Sequence, residues 1–179
     1  YDKITVREDS AVQMLESWGA KNFYGQVLDP TLLLSADEWI DLLVYEEMQI
    51  KYASQKYILV YQIHNDRQLS SYALRPAAHT GLKLLRVNPF MHQVHRGGKL
   101  VLCPDVAEFL SLIKNATYIV TDSFHGTCFS LTFEKQFIEV LPNNTTGTRN
   151  QSILALTGLS NRIVYEFADF SIINRMIDY

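Results

Sequence analysis

Seven consecutive residues, Thr121-Asp122-Ser123-Phe124-His125-Gly126-Thr127, gather three hydroxyls, an acid and an imidazole. They follow the β-branched run Tyr118-Ile119-Val120 and precede a helix-like pattern through Phe129, Leu131 and Phe133. Amide groups at a helix start are unpaired and carry the positive end of the helix dipole, which favours an anion. Gly126 has no side chain to keep a ligand away from those amides. His125 is of the type that moves protons most often near neutral pH. The same run also suits ordinary helix capping, with His125 as a space-filler, so both readings stay open at this point. A second strand-to-helix loop, 142–149, ends in Arg149, whose guanidinium fits a carboxylate or phosphate, or simply water. A third cation, Arg7, follows the short run Ile4-Thr5-Val6 and has Glu8 and Asp9 as nearby counter-charges.

These positions need a scaffold, and the chain alternates strand and helix signals. Strands are expected at 4–6, 27–28, 57–61, 82–87, 100–102, 118–120, 137–140 and 163–164. Helices are expected from Ser10 to Gly19 and from Ser35 through Trp39, Leu42, Leu43 and Met48. Others are expected over 65–80, from Pro104 through Ile113, from His125 through Phe133, over 153–156 and over 170–176. The strands are apolar throughout, as expected of a parallel sheet covered by helices on both faces. In such a sheet ligands bind beyond the carboxyl ends of the strands, where all three candidate positions lie.

Composition narrows the function. Hydrophobic residues make up 47% of the 179, enough for a core, which excludes a disordered chain. A net charge of −3 gives no general affinity for nucleic acid. The apolar runs fall far short of the roughly 20 residues of a membrane helix. Two cysteines, Cys103 and Cys128, make neither a disulfide framework nor a zinc cluster, and Cys128 reads as packing. His92 and His95 have metal-ligand spacing but no acidic or thiol neighbour in sequence, so no metal is expected there. The chain begins at Tyr1 in what reads as mid-domain sequence, so a preceding region is expected.

Taken together, the segments resemble the polysaccharide pyruvyl transferase family. The stretch 118–130 resembles its histidine signature. Ile4-Thr5-Val6-Arg7-Glu8-Asp9-Ser10 is similar to its Ser-Val-Arg-(Glu/Asp)…Ser segment. Leu28-Asp29-Pro30-Thr31-Leu32-Leu33-Leu34 resembles its Asp-Pro-Thr-Leu-Leu-Leu element, and Arg149-Asn150-Gln151-Ser152-Ile153 with Gly158-Leu159 its Arg-x-x-Ser-(Ile/Leu)…Gly-Leu segment. The order is the family's own. Some members carry arginine two residues before the histidine, where this chain has Ser123; a second branch reads Asp-Ser-Phe-His-Gly-Thr, as here.

The resemblance implies a two-domain GT-B-like architecture, with residues 1–34 ending the first α/β domain and forming the crossing, and 35–179 forming a Rossmann-like second domain. It implies transfer of a pyruvyl group from phosphoenolpyruvate to hydroxyls of a sugar or lipid-linked oligosaccharide, making a ketal in polysaccharide synthesis. It implies no cofactor beyond that donor and a cytoplasmic, mostly bacterial setting, with peripheral membrane association left open. In these terms His125 does acid/base work or holds phosphate, Asp122 orients the imidazole or the loop, and Arg7 and Arg149 bind the donor's anions. Ser123, Gly126 and Thr127 serve its phosphate with hydroxyls and backbone amides. The competing readings are a GT-B glycosyltransferase using a nucleotide sugar, and a non-catalytic glycan- or partner-binding remnant.

Overall fold

A computed structural model of the chain describes residues 1–42, 51–142 and 147–179. Six strands form one parallel sheet: β3 (Tyr57–Tyr61), β4 (Lys83–Asn88), β5 (Lys99–Leu102), β6 (Tyr118–Thr121), β7 (Phe137–Val140) and β8 (Ile163–Val164). Their spatial order is β5-β4-β3-β6-β7-β8. The chain therefore builds outward from β3 to β5, crosses back, and builds the other way from β6. That reversal between β3 and β6 opens a crevice at their carboxyl ends, the usual ligand position in an open α/β sheet.

Successive strand residues face opposite sides. Leu59, Leu85, Ile119 and Phe137 belong to one buried cluster, and Ile58, Leu84, Val120 and Ile138 to the other. Two covered faces explain why the strands read as apolar runs rather than alternating ones. The first face is covered by α5 (Val106–Asn115), α6 (Phe124–Thr132) and α7 (Gly147–Leu156). The second is covered by α3 (Arg67–Tyr72) and α4 (Leu74–Thr80).

Ahead of this sheet lie β1 (Ile4–Val6), α1 (Asp9–Ser17), β2 (Phe23–Gln26) and α2 (Ala36–Asp41). β1 and β2 pair in parallel as a separate two-stranded sheet. The second strand lies earlier than the expected 27–28, because Val27 and Leu28 already lead into the Asp29-Pro30 turn. Gly25, at φ +97°, accommodates the register shift between the two strands. α1 starts after Glu8 rather than at Ser10 and buries no residue; Trp18 is 71% exposed. Ser35 caps α2 in a complete capping box with Glu38, while Leu43 and Met48, expected in the same helix, lie outside the described residues.

Three further expectations change. The helix over 65–80 is two helices, because Pro76 has no amide to give the Tyr72 carbonyl. Pro104 precedes the Asp105 cap of α5 rather than opening its first turn. The terminal helix over 170–176 is only a 3-10 turn, Ser171–Asn174, since the Ile172 and Arg175 carbonyls accept from the buried Arg162 guanidinium instead of continuing a helical ladder.

Candidate functional site

The turn from β6 into α6 is pinned before any ligand is considered. Thr121 Oγ1 donates to the Tyr61 carbonyl at 2.7 Å and accepts from Ser123 N–H at 3.0 Å, tying the turn to β3. Ser123 caps α6, its hydroxyl accepting from Gly126 N–H at 3.3 Å. Gly126 is buried, and a Cβ there would come within 2.9 Å of Tyr61 Cδ1 and closer still to Thr121 Oγ1. Its missing side chain is thus needed to seat the helix on the strand, not to admit a ligand. Gly126→Ala should cost about 1–3 kcal/mol by overpacking, read as a lowered urea midpoint.

Thr127 also has a structural job in place of the phosphate contact expected of it. It is fully buried, with the Ser123 carbonyl at 3.2 Å from its hydroxyl and Glu139 Oε2 in hydrogen-bond contact. One hydroxyl proton cannot serve two acceptors. A protonated Glu139 resolves this by donating to Thr127, which donates to Ser123, while Asn150 Nδ2 donates to the other carboxyl oxygen. Full burial drives the Glu139 pKa well above its ordinary 4.5, against the downward pull of Thr127 and Asn150. Glu139 thereby clamps α6 to α7, the helices that carry His125 and Arg149. A raised folded-state pKa gives stability that is complete below 4.5 and is lost as pH rises through the raised value. Glu139→Gln should flatten that decline, checked by comparing urea midpoints at pH 5 and 8 in both proteins.

Asp122 is nearly buried and does not orient His125. Its oxygens accept from Ile63 N–H at 2.7 Å and His64 N–H at 3.0 Å, and His64 Nδ1 lies 3.1 Å away. Burial raises the Asp122 carboxyl above its ordinary value, against the two amides and the imidazole, which pull it down. The imidazole it holds is His64, just past β3, whose second nitrogen, Nε2, has no partner among the described residues. The sequence reading did not single out His64. The signal was there, since His64 follows a strand end as His125 does. A cavity of about 340 Å³ opens beside this pair, lined by His64, Asp66, Arg67, Asp122 and Pro142.

The remaining candidates converge on a residue the sequence reading did not use. Phe124, nearly buried at the start of α6, has the Arg7 guanidinium 5.9 Å and the Arg149 guanidinium 5.3 Å from its ring centroid. The exposed His125 ring lies 5.6 Å from it, edge-on. Arg7 is anchored by Asp29, whose carboxyl is also held by Thr31 N–H at 3.0 Å and Thr31 Oγ1 at 2.8 Å. Burial raises the Asp29 pKa, but Thr31 and Arg7 outweigh it and the net shift is downward. Arg149 has no hydrogen-bond or ion-pair partner among the described residues, and neither do the Phe124 and His125 amides. Two guanidiniums, two open amides and an imidazole thus share one rim. Cys128, beneath it, is buried with its thiol pushed up to about 12, so it is no nucleophile. The Ser123 cap stands where some members of the resembled family carry arginine.

Comparison with known proteins bears on this arrangement. No curated protein matches the chain. In fold it is similar to the UDP-GlcNAc 2-epimerase of Methanocaldococcus jannaschii, solved with UDP-GlcNAc and UDP, at 14% identity and a TM-score of 0.59, covering 89% of this chain and 54% of that one. It is also similar to the Neisseria meningitidis UDP-GlcNAc 2-epimerase bound to UDP-GlcNAc, at 13% identity and 0.60, covering 96% and 50%. The Rickettsia bellii UDP-N-acetylglucosamine 2-epimerase gives 13% and 0.57, covering 97% and 55%. The chain thus spans about half the length of these GT-B-like structures and shares the fold of that half. Among the described residues no helix is long and apolar enough to cross a membrane. The polysaccharide pyruvyl transferase model matches residues 1–145, a span that holds Arg7, Asp29, the His64–Asp122 pair and the whole turn into α6. With four-fifths of its length under that model, the chain belongs to the polysaccharide pyruvyl transferase family.

Proposed function

We propose that this protein transfers the pyruvyl group of phosphoenolpyruvate to two hydroxyls of a sugar, forming a ketal and releasing phosphate. The observation that carries this reading is the convergence of Arg7, Arg149 and His125 on Phe124 at the carboxyl ends of the strands. Phosphoenolpyruvate carries a phosphate and a carboxylate close together, and two guanidiniums with a free helix start suit such a pair. Arg149 and the Phe124 and His125 amides face the anions, and Arg7 adds its charge from the Asp29 anchor.

The reaction needs balanced proton traffic. Each attacking hydroxyl loses a proton as its oxygen bonds to the donor's C2. One proton ends on C3, turning the methylene into a methyl, and the C2–O bond to phosphate breaks with the second proton leaving on the phosphate. Two separate proton-transfer groups therefore suit the chemistry better than one. His125 fills one role. His64, held by Asp122 through Nδ1, fills the other from the neighbouring strand end. Asp122→Asn should lower kcat about tenfold or more and shift the pH–rate profile, while Asp66→Asn should leave that profile in place.

We further propose that residues 1–34 end a first α/β unit and form the crossing, with 35–179 as the second. The separate β1–β2 sheet and the unburied α1 support that division. The epimerases' UDP-GlcNAc complexes keep a nucleotide-sugar donor as the second reading. The deciding experiment follows phosphate release from phosphoenolpyruvate by the complete protein with mixed glycan acceptors. Acceptor-dependent phosphate release supports pyruvyl transfer. UDP release from UDP-GlcNAc with no phosphate from phosphoenolpyruvate overturns it in favour of the nucleotide-sugar reading.

A further inference from the structure

A second, larger cavity of about 580 Å³ shares Arg67 with the cavity beside the His64–Asp122 pair. Arg67, Arg96, His92 and His95 line it, with Ser70 and Ser71, and no carboxylate among the described residues does. The carboxylates nearest in sequence are already engaged. Asp66 accepts from Gln68 N–H at 2.7 Å and Leu69 N–H at 3.2 Å, and Asp122 holds His64. Arg67 has no hydrogen-bond or ion-pair partner among the described residues. Arg96 spends its donors on uncharged oxygens: the Asp66 carbonyl, Ser70 Oγ and Asn65 Oδ1.

A third guanidinium stands behind the wall. Arg86, fully buried on β4, donates to the carbonyls of Ser70, Arg96 and Gly97, three residues of the cavity lining. Its Nη1 is buried without a partner among the described residues, and so is Nε2 of His92. Two guanidiniums on the lining and a third behind it, with no carboxylate among the described lining residues, make this opening electropositive; Asp122, the acid that acts on His92 from outside the lining, is committed to His64.

The geometry points to a second anion site here, separate from the Phe124 rim, that takes the diphosphate of a glycosyl diphosphate. The size supports a group larger than a single phosphate. The smaller cavity that shares Arg67 is lined by His64 and Asp66, side chains that can accept from sugar hydroxyls. A glycosyl diphosphate laid across Arg67 would put its sugar beside His64 and its diphosphate among the arginines. That this ligand is the pyruvyl acceptor rests on the proposed reaction; the anion site itself rests only on the residues around it.

The test is calorimetric titration of the complete protein with inorganic pyrophosphate. Wild type should bind it, Arg67→Gln should weaken it at least tenfold, and Arg149→Gln should change it less than threefold. Arg67 is exposed and unbonded, so its substitution should leave the urea midpoint in place. No binding to wild type at millimolar pyrophosphate overturns the site, as does equal binding by Arg67→Gln or loss of binding in Arg149→Gln. Competition against pyrophosphate then identifies the carrier: displacement by UDP-GlcNAc indicates a nucleotide, and displacement by a short polyprenyl diphosphate indicates a lipid. Displacement by neither overturns the glycosyl diphosphate assignment. Phosphate release from phosphoenolpyruvate is measured separately, so failure of the donor reading and failure of this site are distinguishable.

Discussion

His125→Ala lowers kcat for pyruvyl transfer by about 10²–10⁴-fold and leaves the fold intact. The rate loss follows from removing a positioned proton-transfer group from beside the place where the donor's anions sit. The intact fold follows from its position. His125 is exposed on the first turn of α6, and the turn is held by Thr121, Ser123 and the buried Gly126 instead. Exposed substitutions away from such anchors stay within about ±0.5 kcal/mol. The urea midpoint should therefore match wild type while turnover collapses. A kcat within threefold of wild type removes His125 from the chemistry. A matching fall in the urea midpoint would instead make it a structural residue.

Arg162→Met is expected to have the largest effect on stability, about 3–5 kcal/mol. Arg162 is buried between β7, β8 and the C-terminal segment. Nε donates to the Phe137 carbonyl at 2.8 Å and Nη2 to the same oxygen at 2.5 Å. Nη1 reaches the Ile172 carbonyl at 3.3 Å and the Arg175 carbonyl at 2.6 Å, and Nη2 also donates to the Tyr118 hydroxyl. Methionine matches much of the volume but leaves those acceptors unpaired, at about 1–3 kcal/mol for each that cannot reach water. The fork holds the chain from Ile172 to Arg175, while Gln136 holds Ile177 and the Tyr179 hydroxyl reaches the Lys135 carbonyl, so the stretch 171–176 should become the first site of proteolysis. Lysine should not rescue, because one ammonium cannot span three carbonyls and a phenol. A urea midpoint for Arg162→Met equal to that of wild type contradicts this account.

Why some elements were legible from sequence and others were not follows from where their determinants lie. The run Tyr57 to Tyr61 is buried at nearly every position, so its apolar character alone marked a central parallel strand. The Ser35 cap was legible because its partner, Glu38, is three residues away. The terminal segment misled because Ile172 and Ile173 have helical-looking hydrophobicity, while its carbonyls are claimed by Arg162, more than eight residues earlier. The site shows the same division. His125, Arg7 and Arg149 follow strand ends, and the rule that parallel sheets bind ligands there was enough to select them. Thr127 looked like a phosphate ligand because hydroxyls near a helix start often are. Its actual partner, Glu139, sits on the next strand, and only the sheet register brings the two together. Asp122 was assigned to the nearest imidazole in sequence, whereas the parallel pairing of β3 with β6 delivers His64 from 58 residues away.

The central claim is that a small dianion docks on the rim where Arg7, Arg149 and His125 surround Phe124. The most direct measurement is thermal unfolding of the complete protein against phosphoenolpyruvate concentration, for wild type, Arg149→Gln and Arg67→Gln. The account predicts that wild type and Arg67→Gln gain stability, approaching about 2.7 kcal/mol at a hundredfold excess over the dissociation constant, and that Arg149→Gln gains almost none. Equal stabilisation of Arg149→Gln, or none in wild type, would contradict it.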